Sequence, residues 1–293
     1  MPTVNPTLST LFGAPGPFYL DLISQILPKL TMHRYHFISD ESFKTWVNSD
    51  KFNVTHSNQV LAAELIDKAH LTATTALFRT QQWVKATCLA YDNNNLVSWA
   101  SSARGLIENS GDIMDGIYLV AAALAEHHRT IASALSGRQS SGILDFSEID
   151  RPLDHFVLAK WMRAPKTDVR KAKDNIEYVR SLDLARVPEV IEFYQKLCGI
   201  THPSSSSIDY LYVQDSEGLR LDVHRDGNAI DEVCSLFPAV LARSLMYACN
   251  PPLLILRVLH KFGHHPRLTE LKKLERSEIP IWAAIEKNLN SGQ

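Results

Sequence analysis

Between His56 and Asp92 the chain has neither glycine nor proline. Its apolar residues Leu61, Leu65, Ile66, Leu77, Val84, Cys88 and Leu89 recur at spacings of three, four and seven or their sums. That is the period of an amphipathic helix, so the pattern predicts one long helix, or two joined by a slight kink. Asn93, Asn94 and Asn95 end it, because asparagine favours caps and left-handed turns over helix interior. A second helix is predicted from Leu96 to about Asn109, with Leu96, Ala100, Ala103 and Ile107 on one stripe. A third runs from about Ile113 to Leu135 and stops at Gly137, a natural C-terminal cap. Short polar links between long helices favour antiparallel packing, as in a bundle.

The flanking segments read less clearly. Pro2, Pro6, Gly13 and Pro15 make the first 16 residues an arm rather than a packed element. A short helix is expected over Phe18–Leu30, and another, capped by Ser39-Asp40-Glu41, through Trp46. After a polar loop at 138–151, Pro152 opens a helix carrying Phe156, Val157, Leu158, Trp161 and Met162. Lys166–Arg180 reads as a charged, solvated segment. Pro188 then opens a helix over Val190–Ile200, which ends at Thr201-His202 because the residue before Pro203 disfavours the helical region. Leu211–Val213 and Leu219–Val223 flank Asp215-Ser216-Glu217-Gly218 and suggest a small β-hairpin. Asn228 caps a helix through Ala248, Pro251-Pro252 restart one through Phe262, and Ile281–Asn288 makes the last. The expected fold is mainly α: an antiparallel helical bundle over residues 55–205, an N-terminal arm with short helices over 1–54, and a hairpin with C-terminal helices over 206–293 packed on the bundle.

Composition narrows the class without naming a function. In 293 residues, 45% are apolar, which is ample for a core and excludes wholesale disorder. Lys and Arg number 30 against 32 Asp and Glu, so bulk charge does not mark a nucleic-acid-coating protein. Cys88, Cys198, Cys234 and Cys249 are too sparse for a disulfide scaffold and are expected as reduced, small apolar side chains. Ser244–Leu256, the most apolar stretch, is short of the roughly 18 residues a bilayer needs. Met1–Gly13 lacks the basic and apolar regions of a signal peptide. A cytoplasmic protein with no membrane partner is expected.

Two places offer chemistry. Arg104 and Glu108 stand four residues apart, one above the other on a single helix face. Exposed, such a pair contributes only a few tenths of a kcal/mol. The small neighbours Ala103 and Gly105, however, invite another helix close enough to desolvate it, and a desolvated Arg is a strong fixed donor for carboxylate or phosphate. Asp112 continues the row if the helix persists past Gly111. His202, just beyond a helix C-terminus, is placed to titrate near neutral pH or to cap the last carbonyls. Glu64, Asp67 and His70, three residues apart, swing around their helix and read as polar residues flanking a core. His260, Lys261, His264, His265 and Arg267 read as a basic patch or a solvated helix end. His127-His128-Arg129 reads as a solvated tip, able to hold a metal only adventitiously. There is no His-Glu-x-x-His, no glycine-rich phosphate loop and no Gly-x-Ser-x-Gly elbow, and no cofactor or metal is expected.

Leu61-Ala62-Ala63-Glu64-Leu65-Ile66-Asp67-Lys68-Ala69-His70, the run Asn95-Leu96 through Ala103-Arg104-Gly105-Leu106-Ile107-Glu108, and Tyr194 through His202-Pro203 together resemble a group of uncharacterised bacterial helical proteins. Those in turn are similar to the HEPN-like superfamily, which includes RNA-cleaving toxins and abortive-infection proteins. The likeness covers about residues 55–205. It implies a metal-independent endoribonuclease in stress or phage defence, acting on RNA as a homodimer, with Arg104, Glu108 and His202 as catalytic residues. It leaves any other protein partner unspecified. In superfamily nucleases four to six residues stand between the Arg and the His on one helix, whereas His202 belongs to a different helix from Arg104. Arg257 and His264 match that spacing elsewhere, but Gly263 ends a helix between them. The reading from another class is a non-catalytic helical interaction module, in which Arg104, Glu108 and His202 form a structural polar network that fixes helix register.

Overall fold

The computed structural model describes residues 6–50, 52–159, 171–203, 205–222, 224–274 and 279–290, and the protein is mainly α. Trp161 and Met162 lie outside the described residues. The chain forms two compact units, each drawn from three stretches. Unit 1 takes residues 1–24, 76–115 and 173–249; unit 2 takes 25–75, 116–172 and 250–293. The long helices contribute residues to both.

Residues 6–16 do not form a loose arm. Pro6–Phe12 forms α1, with Thr7, Leu11 and Phe12 buried, and Pro15–Leu30 forms α2. Proline sits in the first turn of each, where its missing N–H costs nothing. Gly13, at φ +58, makes the left-handed turn between them. The Thr7 hydroxyl donates to Asp92 and ties α1 into unit 1.

The long helix predicted from His56 is α4, Val54–Asp92. The second helix, α5, runs from Leu96 to Ile117, past Gly111. Within unit 1 the two are antiparallel: Trp83 meets Gly105, Thr80 bonds Asn109, and Arg79 bonds Asp112, so rising numbers on one match falling numbers on the other. Unit 1 also contains Asn175–Leu184 (called α9 in chain order), a helix in the segment expected to be solvated. Tyr178, Val179 and Leu182 are buried there, and a capping box of Asp174 and Glu177 starts it. At Gly111 an added Cβ would lie 2.3 Å from the Tyr178 carbonyl oxygen, so α9 rests directly on α5 backbone. Val190–Thr201 (α10) packs on α9 and buries Val190, Phe193, Tyr194, Leu197 and Ile200.

Ser205–Asp209 (α11) leads into the hairpin. Its strands β1, Tyr212–Asp215, and β2, Gly218–Leu221, pair antiparallel with Tyr212 opposite Leu221. Asp226–Leu236 (α12) and Val240–Leu259 (α13) follow. They are bent by 73° at the break between them, rather than forming one helix through Ala248. Pro251 and Pro252 sit inside α13 without ending it. Among the described residues no single helix is long and apolar enough to cross a membrane; the bent α12–α13 pair reaches that length and apolarity only when its two helices are taken together.

In unit 2 the predicted third helix is divided. The chain breaks after Ile117 and again at His127, giving α6, Val120–Glu126, and α7, His128–Leu135. Asp40–Val47 (α3) is capped as expected, the Ser39 hydroxyl accepting from the Ser42 amide at 3.1 Å. Ser147–Leu158 (α8) packs on α6, as does Trp282–Asn290 (α14).

Candidate functional sites

Arg104, Glu108 and His202 meet in unit 1. The start of α5 is fixed by side chains: Asn95 Oδ1 accepts from the Ser98 amide, and Asp226 accepts from the Leu96 amide. Eight residues on, Arg104 Nε lies 3.3 Å from Glu108 Oε1. The other wall is the end of α10. Thr201 closes the last turn by donating to the Leu197 carbonyl at 3.0 Å. His202 then turns to an extended backbone (ψ 146°), as its position before Pro203 requires. This aims its ring back at α5, where Arg104 Nη1 is 3.3 Å from His202 Nε2 and donates to Thr201 Oγ1 at 3.2 Å.

Tyr194, one face of α10 away from its end, donates its hydroxyl to Glu108 Oε1 at 2.7 Å. Burial and the Glu108 carboxylate beside it hold that phenol far above its ordinary range, so it acts as a donor and never as a base at neutral pH. The close approach expected beside Arg104 is real, and Trp83 makes it. A Cβ on Gly105 would fall 2.6 Å from the indole ring. The pair is neither solvated nor sealed: 27% of the Arg104 side chain and 21% of Glu108 stay exposed, and His202 is open to solvent.

A guanidinium only donates, so a hydrogen bond from Arg104 to His202 Nε2 requires the neutral tautomer with its proton on Nδ1. The arrangement therefore presents a fixed cation and an imidazole lone pair on one side of one group. Asp112 is not part of it, because it accepts from Arg79 at 2.9 Å. Tyr194 and Thr201 are the site residues that motif reading overlooks. Their signal is a seven-residue spacing that puts both on one face of α10. A cleft of about 540 Å³ lies on the opposite face, lined by Glu192, Gln195, Lys196 and Gly199 among others, and includes none of these side chains.

Comparison with family models, curated proteins and solved structures gives no match. The site must be read from its own chemistry.

A second constellation lies in unit 2, where the sequence suggested only core-flanking and solvated residues. Asp67, about a third of the way along α4, has three imidazoles on a single oxygen. Its Oδ1 is 3.2 Å from His33 Nε2, 3.2 Å from His264 Nε2 and 3.3 Å from His265 Nε2. His265 is only 6% exposed, which corrects the solvated helix end expected there. His70 is buried as well. Its ring stacks on His265 at 4.0 Å between centroids and 18° between planes, and its Nδ1 bonds the Tyr35 hydroxyl at 2.7 Å. Burial, reinforced by the neighbouring imidazoles, brings His70 down to about 4 and His265 down to about 3. Elsewhere in unit 2, His128 bonds the Ala125 carbonyl at 2.7 Å, and His127 faces Glu148 at 3.9 Å.

Proposed function

We propose that the Arg104 site in unit 1 binds RNA at a phosphodiester and cuts it by transesterification, without requiring a metal ion. The observation that carries this reading is the 3.3 Å approach of Arg104 Nη1 to His202 Nε2. It brings a phosphate-binding donor and a proton acceptor together from helices 98 residues apart in sequence. In this reading Arg104 leaves His202 for the incoming phosphate, which frees the Nε2 lone pair to take the proton of a 2′-hydroxyl, and the freed oxygen attacks the adjacent phosphorus. The bond to the 5′ oxygen breaks, leaving a 2′,3′-cyclic phosphate, and the departing oxygen takes a proton from solvent. Arg104 donates to the non-bridging oxygens as charge builds on them. Glu108, itself held by the Tyr194 hydroxyl, fixes the guanidinium plane. The resemblance to HEPN-like proteins adds a homodimer, a bacterial cytoplasm and a role in stress or phage defence to the proposal.

The test is incubation of the purified protein with mixed RNA, with and without chelator, beside Arg104→Ala and His202→Ala. Cleavage by the wild type in both conditions is expected, with losses of about 10²–10⁴-fold in either variant. Intact RNA in every lane removes the enzyme. The network of Arg104, Glu108, Tyr194 and His202 also suits a device that fixes helix register. A sharp fall in the melting temperature of Arg104→Ala, together with intact RNA throughout, would assign it that role instead. Sedimentation at twice the mass of the chain is expected of the homodimer.

A further inference from the structure

We propose that His33, Asp67 and His265 form a binding site in unit 2 for a divalent first-row transition-metal ion of the zinc class. The ligand atoms of these three residues lie within 4.8 Å of one another. A tetrahedral ion with bonds of about 2.0–2.1 Å to nitrogen and oxygen sets its ligand atoms about 3.3–3.4 Å apart. The separations of 3.2 Å from Asp67 Oδ1 to His33 and 3.3 Å to His265 have that length. His264 Nε2 stands 3.2 Å from the same oxygen, with about a third of its side chain exposed, next to the position a fourth ligand or a water would take.

Hydrogen bonding alone does not explain the cluster. One carboxylate oxygen has two lone pairs, yet three imidazole nitrogens crowd it. His265 is the residue left over: it is buried, and neither of its ring nitrogens has a hydrogen-bond partner among the described residues. Burying a polar ring unsatisfied is costly, and a bound cation on Nε2 relieves that cost at one of the two nitrogens. The ring is also held in place before any ion arrives. His70 stacks flat on one face of it, His33 meets it edge-on at 4.6 Å, and Tyr35 fixes His70. Two imidazoles and one carboxylate from three separated segments form the mixed nitrogen–oxygen set that suits zinc and its neighbours rather than calcium or magnesium.

The experiment is a zinc titration of the full chain after chelator treatment, by competition with a chromophoric chelator, beside His33→Gln and Asp67→Asn. Circular dichroism monitors folding of each variant. One tight equivalent per chain is expected, weakened at least about 100-fold in either variant, with a rise in melting temperature at equimolar zinc that neither of these two variants shows. His127→Ala, which removes a half-buried histidine outside the cluster, is expected to bind like the wild type. If Asp67→Asn fails to fold, His33→Gln decides, because about a quarter of the His33 side chain is exposed. No saturable binding, or equal binding by a folded His33→Gln variant, overturns the proposal. The site shares no residue with the RNA site, so its failure leaves that reading standing, and the chelator lanes of the RNA assay keep the two apart.

Discussion

Single side chains decide where the helices touch. Gly111 admits the backbone of α9, and because the obstacle to a Cβ is a carbonyl rather than a mobile side chain, the strain cannot relax cheaply. Gly111→Ala is expected to lose about 1–3 kcal/mol, read from the midpoint of urea unfolding. Gly105→Ala meets only the partly exposed Trp83 ring, which can swing, so a smaller loss is expected in the same measurement. His260 gives the chain a dependence on acid. Its Nε2 accepts from the Leu268 amide at 3.0 Å, while burial first, and then Arg257 and Arg267, hold it down to about 4. The native chain keeps this ring neutral where the unfolded chain, near 6.5, takes up a proton. The stability tied to it is therefore complete above about pH 6.5 and drains away as pH falls toward 4. His260→Gln removes that drain, so its melting temperature is expected to fall less than that of the wild type between pH 7 and pH 4.5. At this scale the sequence was most informative where spacing alone sets the geometry. Arg104 over Glu108 is legible from four residues. Tyr194 and Thr201 become site residues only once α10 is known to face α5.

At the scale of elements, hydrophobic period found the long helices and missed α1 and α9. Leu65, Ile66, Leu77 and Val84 mark α4 unmistakably, and Ser39 marks the cap of α3. The seven residues of α1 hold too few apolar positions to show a period, and Pro6, with Pro2, Gly13 and Pro15 on either side, imitates a linker. Yet Phe12 is wholly buried, and Phe12→Ala is expected to cost about 3–5 kcal/mol, measured by thermal unfolding. The segment leading into α9 is dense in charge, which hides Tyr178, Val179 and Leu182. Its readable signal was the Asp174-x-x-Glu177 start, which satisfies two free amides reciprocally. Gly111 and Gly116 did not stop α5, since a glycine inside a helix costs only about 1 kcal/mol and close packing on α9 offsets it. Pro251 and Pro252 lie within a helix whose surroundings are almost entirely apolar and buried, and tertiary packing there overrides local preference.

Over the whole molecule, sequence order and spatial order part company. Periodicity reports which residues turn inward but not which distant stretches share a core, so neither compact unit was legible. The histidine cluster shows why: His33, Asp67 and His265 span more than 230 positions, and no local motif connects them. A fragment limited to residues 55–205 lacks Ile230, Val233 and Leu245 from unit 1, and Leu253, Ile255 and Val258 from unit 2, all buried. It is expected to show no cooperative melt by circular dichroism, whereas the full chain does. The same interleaving bears on how the protein is made. Neither core can close until α13 has left the ribosome. At roughly 5–20 residues per second, the apolar faces of α2 and α4 then wait on the order of ten seconds or more for their last partners, an interval in which a chaperone that holds nascent chains is the natural escort.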